Sequence, residues 1–104
     1  MKLRNHLKEI RVMGSKCKVS YERGLDRGAN FGVFDPQNNK IQIADEDSIT
    51  EDAKLSTILH EVIEALNCKL ELNLEHNQIS SLESGLFQVL MDNPDFLFCF
   101  LELS

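Results

Sequence analysis

Positive charge is scarce in this chain of 104 residues: eleven Lys and Arg stand against seventeen Asp and Glu, a formal net charge of −6. No excess of cations is left to neutralise phosphates, which argues against nucleic-acid binding through a broad basic face. Cysteines are few, and Cys17, Cys68 and Cys99 form an odd set without a repeated spacing. That is a poor disulfide framework and an ordinary load for a reducing compartment such as the cytosol. Cys17 and Cys68 are expected as small buried side chains, since no basic cluster stands near them to activate a thiol. Long apolar runs are missing too. The opening MKLRNHLKEIRVMG carries charges throughout, without the apolar core of an export signal. The densest apolar segment, 96–102 within FLFCFLEL, falls far short of the roughly 20 residues of a bilayer span. No membrane association is expected, and the segment reads as core or as a homo-oligomer contact through residues 96–101. Gly24 and Gly28 are not followed by the Lys-Ser/Thr of a phosphate loop.

What is present is the composition of an ordinary globular protein, 42% hydrophobic and 27% charged, on a length that suits one domain over 1–104. Strand signals fill the first part and helix signals the second, the segregated order of an α+β fold. Residues 9–13 (EIRVM) and 17–21 (CKVSY) alternate apolar and polar positions about Gly14, Ser15 and Lys16, which predicts a hairpin. The stretch 22–30 reads as a surface loop. Residues 31–34 and 40–44 flank DPQNN, whose Pro36 and asparagines suit a second turn. The expectation is a small, mostly antiparallel sheet of three or four strands within about 9–44.

Ser48-Ile49-Thr50-Glu51 matches a capping box, so a helix is predicted over about 49–68. Leu55, Ile58, Leu59, Val62, Ile63 and Leu66 recur at spacings of three and four and define its apolar face. The segment KLELNLE then alternates strictly, and periodicity leaves open whether the helix ends near Cys68 or runs to about Leu72. A second helix over about 75–92 is predicted to bury Leu74, Ile79, Leu82, Leu86, Val89 and Leu90, with Asp92, Asn93 and Pro94 as its stop.

Inside the first helix lies His60-Glu61-Val62-Ile63-Glu64. Positions i and i+4 share a face about 6 Å apart, so the His60 imidazole and the Glu64 carboxylate can converge on one ion. Glu61, one position round the helix, can take a proton from a water held there without being a ligand. With three His and ten Glu in the chain, the pattern arises by chance with a probability of about 0.03 before its helical setting is considered. Its competitor is a solvated stripe of surface charges, and the apolar Leu59, Val62, Ile63 and Leu66 around it argue for a face bordering the interior. A zinc site needs a third protein ligand. His76 supplies it if the first helix stops early and the chain turns back; Glu83 supplies it if the helix runs on and the two helices pair antiparallel. His76 is favoured as the stronger ligand. His6 reads as a surface residue.

The order of strand hairpins, then TILHEVIEALN, then LEHNQISSLESGLFQVLMDNP, resembles small phage and prophage-encoded proteins related to minimal zincin metallopeptidases. These have a leucine-rich His-Glu-x-x-His helix followed by a helix ending in a Leu-Tyr-Gln-Val-Leu-like run and Asp-Asn-Pro. The resemblance covers about 40–94. It implies a single zincin-like domain, one zinc ion per chain, metal ligands at His60, Glu64 and His76, and a general base at Glu61. It departs at Glu64, where the family has its second histidine. The function so implied is a zinc-dependent metallopeptidase-like hydrolase in the cytoplasm of a bacterial host, acting on a peptide or protein substrate aligned by an edge strand such as 40–44. The alternative is a non-catalytic metal-binding or partner-binding protein, an acidic adaptor or inhibitor on the same fold.

Overall fold

The computed structural model describes residues 1–25 and 31–104. Part of the expected loop over 22–30 therefore lies outside the described residues. The chain is α+β. After a single 3-10 turn at Leu3–Asn5 come strands β1 (Glu9–Val12), β2 (Ser15–Glu22), β3 (Gly32–Asp35) and β4 (Lys40–Ala44), then helices α1 (Glu51–Leu70), α2 (His76–Asp92) and α3 (Pro94–Leu103). No helix among the described residues is long and apolar enough to cross a membrane.

The first hairpin turns on two residues, Met13 and Gly14, both at positive φ, the geometry whose twist matches the flanking strands. It is tighter than the turn expected at Gly14 to Lys16, because strand pairing extends to Val12 opposite Ser15. The second hairpin falls on DPQNN as expected, with Asp35 accepting from the backbone N–H groups of Gln37 and Asn38. The sheet order is β1-β2-β4-β3. Within it β2 and β4 run parallel, with Val19 beside Ile41 and Tyr21 beside Ile43. The expected antiparallel sheet is thus a mixed one: each hairpin is antiparallel, and they join through like-directed strands. This also corrects the edge: β4 is interior, and β3 is the outer strand.

One face of the sheet carries Val12, Cys17, Val19, Ile41 and Ile43, all buried, and α1 lies across it. The helix does so with a line at spacings of four, three and four: Lys54, Ile58, Glu61 and Ala65, each buried. Two of these are charged. Lys54, 2% exposed, donates to Asp45 at 2.7 Å and to Glu51 at 2.8 Å, while Arg4 reaches the other Asp45 oxygen at 3.1 Å. Burial pulls the Lys54 ammonium downward, yet the two carboxylates more than offset it, and its pKa lies above the ordinary lysine value. The Lys54 hydrogen bond, together with its charge and that of Arg4, holds the Asp45 carboxyl below the usual range despite burial.

The helix starts later than the Ser48 capping box predicts. Thr50 is the N-cap, its Oγ1 accepting from the Ala53 N–H at 3.1 Å. A box at Ser48 needs Glu51 to reach back, and that carboxylate is engaged by the Leu3 N–H and by Lys54. Thr50→Ala should therefore cost about 1 kcal/mol in urea denaturation through the lost cap, and Ser48→Ala only a few tenths. Equal effects at both positions would contradict this start.

At its other end α1 stops at Leu70, with Glu71 left-handed as C-cap. Asn67 then pins the connection: its Oδ1 accepts from the Leu74 N–H at 2.9 Å and its Nδ2 donates to the Leu74 carbonyl at 3.2 Å. The chain turns back at once, and Glu75 and Gln78 form a reciprocal capping box at the head of α2. Ile79 is buried against α1, and Glu83, Phe87 and Leu90 are partly buried along the same line. Leu74 is partly buried, but the expected burial of Leu82, Leu86 and Val89 does not occur: they remain 42–46% exposed. They occupy a second apolar stripe, one step round the helix from the stripe that meets α1. The segment 96–102 is not core either, since α3 has no buried residue.

Candidate metal centre

His60 and Glu64 project from one face of α1, and His76 opens α2 beside them. One ligand atom from each lies within 4.8 Å of the other two. His60 Nε2 stands 3.5 Å from Glu64 Oε2, and His76 Nδ1 stands 3.9 Å from the same oxygen. The two imidazole rings have centroids 5.2 Å apart. Ligands held at about 2.0–2.1 Å in a tetrahedral set lie about 3.3–3.5 Å from one another. The His60–Glu64 pair has that spacing, and His76 stands wider, at 3.9 Å from the Glu64 oxygen within a set that spans up to 4.8 Å. His76 is also the exposed member, 70% against 13% for His60.

Glu83, the alternative third ligand, takes a different position. Its Oε1 lies 2.8 Å from His60 Nδ1, on the far side of the ring from Glu64. A carboxylate accepts, so Nδ1 donates to it, and Nε2 faces the Glu64 oxygen. Such a carboxylate behind a histidine fixes tautomer and ring orientation in metal sites. The second Glu83 oxygen accepts from the Ser56 hydroxyl. Both sequence candidates thus converge on His60 from opposite sides, because α1 ends at Leu70, between the two lengths considered, and the turn held by Asn67 is short.

The donor set suits a borderline divalent ion such as zinc: two imidazoles and a carboxylate, with nothing soft or redox-active among them. Three lone-pair donors aimed at a common point repel one another unless a cation or a proton lies between them.

Glu61 stands beside this cluster, buried between α1 and β3. Burial pushes its carboxyl up to about 7; the His60 charge and a hydrogen bond with the Phe34 backbone oppose the rise, while Glu64 and Glu83 add to it. A bound dication would draw the carboxyl back toward its charged form. β3 comes this close because of Gly32. A Cβ there would meet Thr57 Cγ2 at 2.7 Å and Glu61 Cγ at 3.3 Å.

Two recesses of about 190 and 410 Å³ meet at this point, sharing Gly32, His60, Glu61 and His76. The larger continues along Val33, Phe34 and Pro36 and reaches Cys68. Cys68 is exposed rather than buried as expected, since it falls on the cleft side of the last turn of α1; it is not among the converging ligands. Cys17 is buried in β2, and burial raises its thiol pKa. His6 is exposed, as expected.

Sequence reasoning singled out His60, Glu61, Glu64, His76 and Glu83, and all five line this region. It missed Ser56, Gly32 and Asn67. Ser56 precedes His60 by four residues, a spacing that puts both on one helix face, and this was the signal available for it. Compared with known proteins, the chain matches no family model, no curated protein and no solved structure.

Proposed function

We propose that this protein is a small metal-dependent hydrolase of peptide bonds, with one zinc ion held by His60, Glu64 and His76. The observation that carries the reading is the convergence of those three donors beside a buried carboxylate, with Glu83 orienting His60 from behind. The ion would supply Lewis acidity, polarising a carbonyl and acidifying water. Glu61 then accepts the proton of the attacking water and delivers it to the departing amine; its seat against β3 keeps it within reach of the cleft. Glu83, itself held by the Ser56 hydroxyl, holds the His60 ring. The outer edge of β3 borders the cleft, and an extended peptide can pair with the edge backbone groups other than the one at Phe34 that Glu61 engages. β3 takes the aligning role expected of residues 40–44, which lie inside the sheet.

The resemblance to phage and prophage zincin-related proteins supports the same chemistry and is the ground for assigning it to a bacterial host cytoplasm. A non-catalytic metal-binding protein, serving as adaptor or inhibitor, is the second reading. It is favoured by Glu64 in place of the family's histidine, since an added anionic ligand weakens the Lewis acidity of the ion.

The test is hydrolysis of unfolded casein by protein loaded with one equivalent of zinc. Cleavage that EDTA abolishes and added zinc restores is the expected result. Zinc binding without cleavage of casein, or of a mixed peptide library, would favour the non-catalytic reading.

A further inference from the structure

Leu82, Leu86 and Val89 form a stripe on the outer side of α2, and α3 adds Phe96, Phe98, Phe100, Leu101 and Leu103, while Leu97 faces inward to a recess lined by Leu59, Val62, Phe87 and Leu90. Exposure across the outward residues runs from 42% at Leu86 to 89% at Leu103. A helix that is apolar all round is normally buried, and no residue of α3 is fully buried. Phe96 and Phe100 already stack edge to face, with centroids 5.0 Å apart, as a preformed aromatic ridge.

Scaled by ordinary side-chain areas, the outward residues leave on the order of 900 Å² of apolar surface open, spread over more than one side of α3, above the roughly 300–600 Å² of a monomer's largest patch and close to the roughly 800 Å² each partner contributes to a stable complex. Charge narrows the choice of partner. Residues 1–69 hold all eleven Lys and Arg and an equal number of acids, whereas residues 70–104 hold six acids and no Lys or Arg. An anionic membrane surface would repel this end of the molecule. The charged residues of α3, Asp95 and Glu102, stand near its two ends, leaving the centre free of charge, as in homodimer interfaces.

We propose that the α2–α3 surface is the interface of a homodimer in which the same patch of a second copy covers it. An isologous contact matches apolar area with equal apolar area. The carboxylates at its rim then face like charges, so association is driven by apolar burial and opposed by mutual repulsion. Salt should strengthen it, opposite to an interface held by ion pairs. The face lies outside the His60 cluster, and the dimer does not depend on bound metal.

Sedimentation equilibrium of the intact chain at about 100 µM, without added zinc, is expected to return twice the 11.9 kDa chain mass, with tighter association at about 0.5 M NaCl than at 0.05 M. Phe98→Asp and Leu101→Asp each replace an exposed side chain. They should weaken the dimer at least about 100-fold while preserving the far-ultraviolet circular dichroism, since desolvating a carboxylate costs several kcal/mol. Lys18→Glu, on the open face of the sheet, should leave the dimer intact. A wild-type monomer at that concentration overturns the proposal. If that monomer floats with phosphatidylcholine vesicles, a lipid surface is the occupant; if it does not, a different protein is. A mass above two chains overturns the closed two-fold contact, and dissociation by salt overturns the apolar driving force.

Discussion

Lys54→Met should destabilise the fold by about 3 kcal/mol, near the low end for a broken buried ion pair because Arg4 still reaches Asp45. Methionine nearly matches the length of the lysine stem, so the loss measures the charge and not a cavity. The Asp45 carboxylate is left in the interior with one partner out of two, and the Glu51 carboxylate keeps only its hydrogen bond from the Leu3 N–H. For a domain whose whole stability is about 5–15 kcal/mol, this is a large fraction. Urea denaturation at pH 7 measures it, and a loss under about 1 kcal/mol would mean that Arg4 alone neutralises Asp45.

The same cluster sets a pH dependence. The Asp45 and Glu51 carboxyls lie below their ordinary values when folded, Asp45 mainly through its hydrogen bond from Lys54, Glu51 through those from Lys54 and the Leu3 N–H. Their contribution is complete above the unfolded carboxylate pKa of about 4 and is lost as pH falls through the lower folded values. Lys54, raised when folded, adds stability that is full at neutral pH and lost only in strong alkali. The stability of the wild type should therefore fall below about pH 4, and more steeply than that of Lys54→Met.

Glu61→Gln should lower hydrolysis by about 10² or more while changing zinc affinity by less than about threefold. The amide has nearly the same shape and keeps the packing over Gly32, but it cannot accept and return a proton. A matching loss of zinc affinity would make Glu61 a ligand rather than the base. Retained hydrolysis would move the base elsewhere.

The helical period of α1 was legible in the sequence, yet the line that faces the sheet contains Lys54 and Glu61 beside Ile58 and Ala65. Polarity alone puts both charges outside; only their partners across the fold, Asp45 and the β3 backbone, make those positions tenable. Hairpin signals are local and were read well. The parallel pairing of β2 with β4 depends on how two hairpins meet, which no local pattern encodes. The cap at Thr50 was hidden for a related reason, because the Glu51 carboxylate is drawn off by Leu3, 48 residues away in sequence. On α2 two apolar stripes compete, and periodicity cannot tell which meets α1. At the candidate metal centre the residue types and the i, i+4 spacing were visible in sequence. The division of labour between His76 and Glu83 turned on the exact end of α1 and on the Asn67 clamp.

The most direct measurement is zinc content and affinity, by inductively coupled plasma mass spectrometry and competition with a chelating dye, on protein purified without a histidine tag. About one zinc per chain is expected; His76→Ala and His60→Ala should each weaken binding at least about tenfold, and Glu64→His should hold it as well or better. Glu83→Ala, which removes the support behind His60, should weaken binding by about 10-fold to 100-fold without changing the stoichiometry. Less than about a tenth of an equivalent, with no uptake from micromolar zinc, would contradict the assignment of His60, Glu64 and His76 to one ion.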